Sequence, residues 1–157
     1  PVILDLDYRK DAWSSSIEAS EKIGQIAIES DFCIGNEEEF DVLGLKNNFL
    51  SKDFAFYLAK KGKIIIYKKG DLGCEFMYLN NHFSLGAFNV KSLKPFGAGD
   101  AFMGGFISSL SRKNNLKDSL IFGSACAALV VSKIGCSSAM PVFSEVKTFI
   151  HNNKYKG

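Results

Sequence analysis

Short apolar runs alternate with longer amphipathic segments along this chain, and that order limits the folds open to it. The short runs predict strands at residues 2–6, 32–34, 63–68, 74–79 and 83–90, the last two of them antiparallel. The longer segments have helical spacing and predict helices at residues 14–29, 36–43, 51–60, 98–112, 116–133 and 144–151. Strands and helices in this alternation indicate an α/β layered fold with a mainly parallel sheet.

Local sequence also predicts how some of these helices begin and where they lie. Serines near the start of the helix at 14–29 are suitable N-caps, and Ser51, with Lys52 and Asp53 behind it, predicts a capped start at 51. The helix at 116–133 is apolar on most sides, so we expect it to be buried between neighbours.

Composition narrows the range of partners. The chain has 157 residues, 46% of them hydrophobic, which suffices for one compact domain with a substantial core. The formal net charge is +2 and the basic residues form no stripe with interleaved aromatics, so we expect no nucleic-acid surface. The apolar runs fall short of the ~20 residues that span a bilayer, so we expect no membrane partner.

The cysteines and the first strand favour a cytoplasmic protein that is incomplete. The four cysteines lack C-x-x-C spacing, which makes zinc and a disulfide framework weak interpretations and favours reduced, buried thiols. Strand-like sequence begins at Pro1 with no targeting segment, and we expect the missing part of the protein to precede it. The absence of G-x-G-x-x-G after this strand argues against a dinucleotide-dependent enzyme.

Gly97-Ala98-Gly99-Asp100 is the sharpest chemical signal. Its small residues let the backbone approach a ligand closely, and amides at the start of a helix would face an anion. A carboxylate there would repel phosphate, but it could accept the proton of a hydroxyl that attacks the phosphate. The alternative is a tight strand-to-helix turn with Asp100 as an ordinary first-turn acid.

Residues 95–102, with the sequence P-F-G-A-G-D-A-F, resemble a signature of the PfkB, or ribokinase-like, carbohydrate kinases. The resemblance implies a ribokinase-like three-layer α/β/α fold, of which residues 1–157 are the C-terminal nucleotide-binding and catalytic portion. It also implies a phosphotransferase that uses ATP and Mg²⁺. Asp100 would be the base that contacts the acceptor hydroxyl, with the amides of Gly97, Ala98 and Gly99 as the anion hole.

Further segments match this family in the expected order. Asn36 and Glu39 take the N-x-x-E positions, which implies that they hold magnesium and its waters; the alternative is an Asn N-cap followed by first-turn acids. Lys69, Gly70 and Gly73 resemble the turn beside the ATP phosphates, and the alternative is an ordinary hairpin turn.

The small residues in the helix at 116–133 also have a functional and a structural interpretation. Ala125 and Ala128 match the part of the family that flanks the adenine, where small residues leave space for a flat base. The alternative is helix–helix packing, which also favours small residues.

Segments 5–13, 93–97 and 136–141 resemble the 5-dehydro-2-deoxygluconokinase branch of the family, although Lys10 stands where that branch usually has proline. The resemblance implies phosphorylation of the C6 hydroxyl of 5-dehydro-2-deoxy-D-gluconate, in myo-inositol catabolism. Arg9 would meet the carboxylate of this sugar acid. The alternative for Arg9 is an ion pair with Asp7 or Asp11.

The family's N-terminal Gly-Gly signature and β-sheet lid have no counterpart here. Because the lid excludes water and often builds a homodimer, we expect weak or no kinase activity from this chain alone. Two alternatives stay open: another kinase of the family, for fructose, ribose, a ketodeoxygluconate or a nucleoside, and a catalytically inactive nucleotide-binding or interaction module.

Overall fold

The structure, a computed structural model, describes residues 1–94, 96–153 and 155. The strands are β1 (Ile3–Asp5), β2 (Phe32–Asn36), β3 (Ile64–Lys68), β4 (Cys74–Tyr78) and β5 (Asn81–Leu85). The helices are α1 (Ser16–Glu29), α2 (Glu37–Gly44), α3 (Ser51–Lys60), α4 (Ala98–Ser111), α5 (Leu116–Val131) and α6 (Phe143–Asn152). The chain divides into two compact units: the first consists of Pro1–Gly70 and Cys74–Ser84, and the second of Asp71–Gly73 and Leu85–Gly157.

The sheet has the strand order β1-β2-β3-β4-β5. β1 pairs with β2 and β2 with β3 in parallel, whereas β3 and β4 are antiparallel, so the predicted α/β class with a mostly parallel sheet is confirmed. β5 lies earlier than the predicted strand at 83–90. The reason is the two-residue turn after β4, in which Leu79 has a φ of 52°. Because the chain reverses within this short turn, β5 begins already at Asn81.

Apolar side chains from α1, α2, α3 and the strands form the core of the first unit. Ala19, Ile23 and Ala27 repeat every fourth residue of α1 and are all buried, as one face of a helix requires. Ser15 caps α1 by accepting a hydrogen bond from the Glu18 N–H at 3.1 Å, as the serines predicted.

The predicted cap at Ser51 is wrong. Leu50 occupies the N-cap position of α3 and makes no side-chain cap. Ser51 is instead the first residue of the helix, and its buried hydroxyl lies 3.0 Å from the Tyr67 hydroxyl. The Ser51 hydroxyl is therefore used in a tertiary contact with Tyr67 and not as the helix cap that local sequence predicted.

In the second unit α5 packs against α4 and α6, and the predicted burial of this apolar helix is confirmed. α4 and α5 approach closely at Gly105, where a Cβ would fall 2.5 Å from Cys126 Sγ. Buried residues from the three helices and from the segments before and between them form this core, among them Phe88, Ala101, Phe122, Val130 and Val146.

The cysteines are free, as expected, but only three of them are buried. Burial raises the pKa of Cys33 to about 12 and those of Cys74 and Cys126 to about 11, whereas Cys136 is exposed, contrary to the prediction. Within the described ranges, no helix combines the length and apolar character needed to cross a membrane.

Candidate functional site

The start of α4 presents backbone amides that have no acceptor within the helix. Gly97 occupies the N-cap position in the left-handed conformation, with a φ of 82°, and its carbonyl accepts the first helical hydrogen bond from the Ala101 N–H at 3.0 Å. The N–H groups of residues 97–100 consequently have no acceptor within the helix. Together with the positive end of the helix dipole, they form a turn that can hold an anion.

Asp100 stands in this first turn with an exposed side chain. It forms no ion pair with any residue that the structure describes. Its side chain borders a cavity of about 200 Å³ that runs along α4 and is also lined by Ala101, Gly104, Ser108, Met140 and Pro141. An exposed carboxylate beside a cleft and beside amides without a helical acceptor can accept a proton from a bound hydroxyl.

Other predicted positions of the second unit lie in the segment before α4 and in α5. Pro95, the first residue of the P-F-G-A-G-D-A-F segment, lies outside the described residues. Ala125 and Ala128 are buried in the core of this unit. Their burial supports helix packing, the alternative interpretation, and a contact with a nucleotide stays a prediction.

The carboxyl ends of three adjacent parallel strands carry the predicted residues of the first unit. Arg9 follows β1, Asn36 ends β2, and Lys69 follows β3, with Asn36 and Lys68 opposite one another in the ladder. In open α/β sheets, ligands bind at this edge. The structure therefore brings Asn36, Glu39, Lys69 and Gly70 to one edge of the sheet.

Arg9 makes an ion pair with Asp7, with 2.7 Å between Nη2 and Oδ1. This is the alternative that sequence left open. Both side chains are exposed, so the pair contributes little stability. The guanidinium is accessible to an acidic ligand, and a role in binding a substrate stays a prediction.

Asn36 and Glu39 form a reciprocal capping box at the start of α2. Asn36 Oδ1 accepts from the Glu39 N–H at 2.9 Å, and Glu39 Oε2 accepts from the Asn36 N–H at 2.7 Å. Burial raises the pKa of Glu39, the Asn36 N–H and Lys68 oppose this shift, and Asp5 adds to it. The helix-cap interpretation is thus realised in the structure, and it leaves Glu39 Oε1 outside the capping box.

The side-chain oxygens of Asn36 and Glu39 are of the type that hard cations such as magnesium prefer. Among the described residues no group of three or more histidine, cysteine, aspartate or glutamate side chains could hold a metal ion. Magnesium retains several waters and needs only one or two carboxylates from a protein. Asn36 and Glu39 offer oxygen ligands alone, so they fit a water-rich magnesium site.

Lys69 is held by a buried carboxylate that sequence reasoning missed. Lys69 Nζ lies 3.0 Å from Glu75 Oε1, Lys52 Nζ lies 3.0 Å from both carboxylate oxygens, and His82 Nε2 lies 2.8 Å from Oε2. We call Glu75, Lys52, Lys69 and His82 the Glu75 cluster. One signal could have revealed it: a carboxylate inside the apolar strand C-E-F-M-Y needs partners if it is to remain buried.

The electrostatics of the Glu75 cluster favour a charged carboxylate. Burial by itself raises the pKa of Glu75, but hydrogen bonds from Lys52, Lys69 and His82 outweigh burial and lower it to about 2.

Residues 70–72 form a 3₁₀ turn between β3 and β4, which agrees with the hairpin-turn interpretation of Lys69, Gly70 and Gly73.

This chain is similar in sequence to known carbohydrate kinases. The model for the pfkB family of carbohydrate kinases matches residues 2–142. The chain is 38% identical to a 5-dehydro-2-deoxygluconokinase of Photobacterium profundum, over 98% of this chain and 48% of the relative. It is 36% identical to one of Listeria innocua, over 96% and 47%. The chain spans about half the length of the curated relatives it matches.

Solved structures show the fold. A ribokinase of Thermotoga maritima aligns with a TM-score of 0.75 and 30% identity, over 82% of this chain and 45% of the other. An aminoimidazole riboside kinase of Salmonella enterica, complexed with its riboside and an ATP analogue, aligns with a TM-score of 0.81 and 27% identity, over 94% and 51%. An E. coli protein provisionally named ribokinase II, in complex with ATP and Mg²⁺, has a TM-score of 0.83 at 23% identity, over 95% and 48%. The predicted ribokinase-like fold is confirmed.

Proposed function

Because this chain belongs to the pfkB family of carbohydrate kinases, we propose that it supplies the phosphoryl-transfer portion of a kinase for 5-dehydro-2-deoxy-D-gluconate. The main support is Asp100, exposed in the first turn of α4 beside backbone amides that have no helical acceptor. The two relatives at 38% and 36% identity carry this substrate in their name. The product would be the 6-phosphate.

In the proposed reaction Asp100 is the catalytic base. Its carboxylate takes the proton from the C6 hydroxyl as that oxygen bonds to the γ-phosphorus of ATP. The bond from this phosphorus to the bridging oxygen breaks, and ADP leaves. The N–H groups at residues 97–99 donate to the transferred phosphoryl oxygens and stabilise the charge that develops on them.

The remaining predicted residues would bind and orient the two substrates. Asn36 and Glu39 would hold magnesium through its waters, and the ion would neutralise phosphate charge. Lys69, with the turn that contains Gly70 and Gly73, would contact the ATP phosphates. Arg9 would pair with the carboxylate of the sugar acid.

The activity is proposed for a longer protein, because the curated relatives are about twice the length of this chain. A kinase must keep water away from the transferred phosphoryl group, and the relatives' additional half could supply that closure. We expect the chain alone to bind nucleotide weakly and to turn over little sugar acid. The additional half is also where we place a homodimer contact.

The test is Asp100→Asn in this chain joined to the N-terminal portion that its relatives possess. Loss of a general base should lower kcat by about 10²–10⁴-fold with little change in the KM for ATP, measured by coupled ADP release. Asp118→Asn is the matched control, because Asp118 is also an exposed first-turn aspartate, in α5. It should retain turnover.

The same assay tests the substrate and the alternatives. 5-Dehydro-2-deoxygluconate should have a higher kcat/KM than fructose, ribose, a ketodeoxygluconate or a nucleoside. A faster acceptor among these would assign the chain to another branch of the family. Undiminished turnover in Asp100→Asn would contradict the catalytic role, and ATP binding without any turnover would indicate a binding module.

A further inference from the structure

The Glu75 cluster joins side chains from separate elements of the first unit. Lys52 comes from α3, Lys69 follows β3, and His82 lies in β5, while Glu75 itself is in β4. We propose that Glu75 is a positioning residue, which fixes the ammonium group of Lys69 where it meets the nucleotide phosphates. This inference rests on the function proposed above for Lys69.

Burial is what enables Glu75 to act as an anchor. Its side chain is only 5% exposed, whereas that of Lys69 is 28% exposed and can reach a ligand. An ammonium group has three N–H donors, and the contact with Glu75 Oε1 uses one of them. The other donors are available to an anion, while the long and otherwise mobile lysine side chain is already ordered before the ligand arrives.

The charge of the cluster makes this anchor necessary. Two ammonium groups, of Lys52 and Lys69, share one carboxylate, so the cluster has a net positive charge even with His82 neutral. These two groups repel each other, and without Glu75 the cluster would contain no negative charge to offset the repulsion. Lys69, on the loop after β3, would then turn towards solvent and lose its defined position.

A double-mutant cycle distinguishes an anchor for Lys69 from a general contribution to folding. The measurement is the dissociation constant of the 157-residue chain for MgATP at fixed ionic strength, with and without Glu75→Gln, in the native and the Lys69→Met backgrounds. Lys69→Met should weaken binding by about tenfold or more, as loss of a charge-assisted hydrogen bond does. Glu75→Gln should weaken binding several-fold in the native background and not at all beside Lys69→Met.

Two further variants separate the position of Lys69 from the net charge of the chain. Glu21→Gln makes the same change of charge in the exposed pair of Glu21 with Lys46, and it should leave the affinity for MgATP unaltered. Lys52→Met with Glu75→Gln removes one charge of each sign. If position rather than net charge matters, this pair should weaken binding as much as Glu75→Gln, and it is the variant to measure if Glu75→Gln does not fold.

Equal weakening by Glu75→Gln in both backgrounds would overturn the inference, because it would indicate a structural role alone. Unchanged or tighter binding by Glu75→Gln in the native background would overturn it as well. If Lys69→Met leaves the affinity for MgATP unchanged, both the nucleotide contact of Lys69 and the inference fail. The kinase proposal would still be decided separately by turnover of Asp100→Asn.

Discussion

The sulfur of Cys136 lies against the α-carbon of Gly97, so closely that a Cβ built on Gly97 would fall 2.8 Å from Cys136 Sγ. Gly97 also has a φ of 82°, which a residue with a Cβ adopts only with strain. Space and backbone conformation therefore both require glycine at the start of α4. The exposed Cys136 thus lies beside the turn whose amides have no acceptor within the helix.

We expect Gly97→Ala to destabilise the chain by about 1–2 kcal/mol through its backbone conformation, with a further loss from the contact with Cys136. In a Cys136→Ala background the contact is removed and only the backbone strain remains. Urea unfolding of the native chain, Gly97→Ala, Cys136→Ala and the double variant measures the backbone strain and the contact separately. An equal loss in the two backgrounds would mean that the sulfur does not touch Gly97 in solution.

Substitutions at Gly73 and Gly62 distinguish the effect of backbone strain from the effect of steric crowding. Both have positive φ, 91° and 83°. A Cβ on Gly73 would collide with the backbone of Leu85 and Gly86, whereas one on Gly62 would meet nothing within 4 Å. Gly62→Ala should cost about 1 kcal/mol, or roughly 2–4 °C in Tm. Gly73→Ala should cost clearly more, because backbone atoms cannot move aside; equal melting temperatures would contradict this.

Much of the fold was predictable because it is locally encoded. The ends of α3 at Ser51 and Lys60 were predicted to the residue, and Ser15 caps α1. The start of α4 after small residues was predictable as well, since a turn with positive φ needs glycine. β5 was predicted too late because its register depends on the hairpin turn at Leu79, a feature that apolar patterning does not contain.

Sequence could indicate that Glu75 needs partners, but it could not identify them, because these residues meet only through the sheet. β3 and β4 are antiparallel, with Tyr67 opposite Glu75, and α3 lies over the same strands. Lys52 and His82 are separated from Glu75 by 23 and 7 residues, and no spacing rule joins them. Long-range hydrogen bonds of this kind follow from tertiary packing.

Glu39→Gln tests whether this position does more than cap α2. Glutamine can also accept the hydrogen bond of a capping box, and a neutral side chain avoids the burial penalty that raises the pKa of Glu39. We expect an unchanged or higher Tm at pH 7, together with a higher Mg²⁺ concentration for half-maximal ATP binding. A capping residue without a metal role would leave the Mg²⁺ dependence unaltered.

The ion pairs of Glu75 predict a loss of stability in acid. Its pKa is lowered in the folded chain to about 2 from an ordinary value of 4.5, so the folded state favours the charged carboxylate. The stabilisation is complete above pH 4.5 and declines as the pH falls towards 2. The raised pKa values of Tyr67 and Cys74 affect stability only at alkaline pH. The raised pKa of Glu39 acts in the acid range with the opposite sign, and it cancels when the native chain is compared with Glu75→Gln.

Glu75→Gln lacks this acid-sensitive contribution. The difference in urea midpoint between the native chain and Glu75→Gln should be constant from pH 7 to pH 5 and should shrink between pH 4.5 and pH 3. Glu21→Gln should show a smaller change over the same range, because its partner Lys46 is solvent-exposed and exposed pairs are weak. A difference for Glu75→Gln that stays constant down to pH 3 would mean that Glu75 is not held by its basic neighbours in solution.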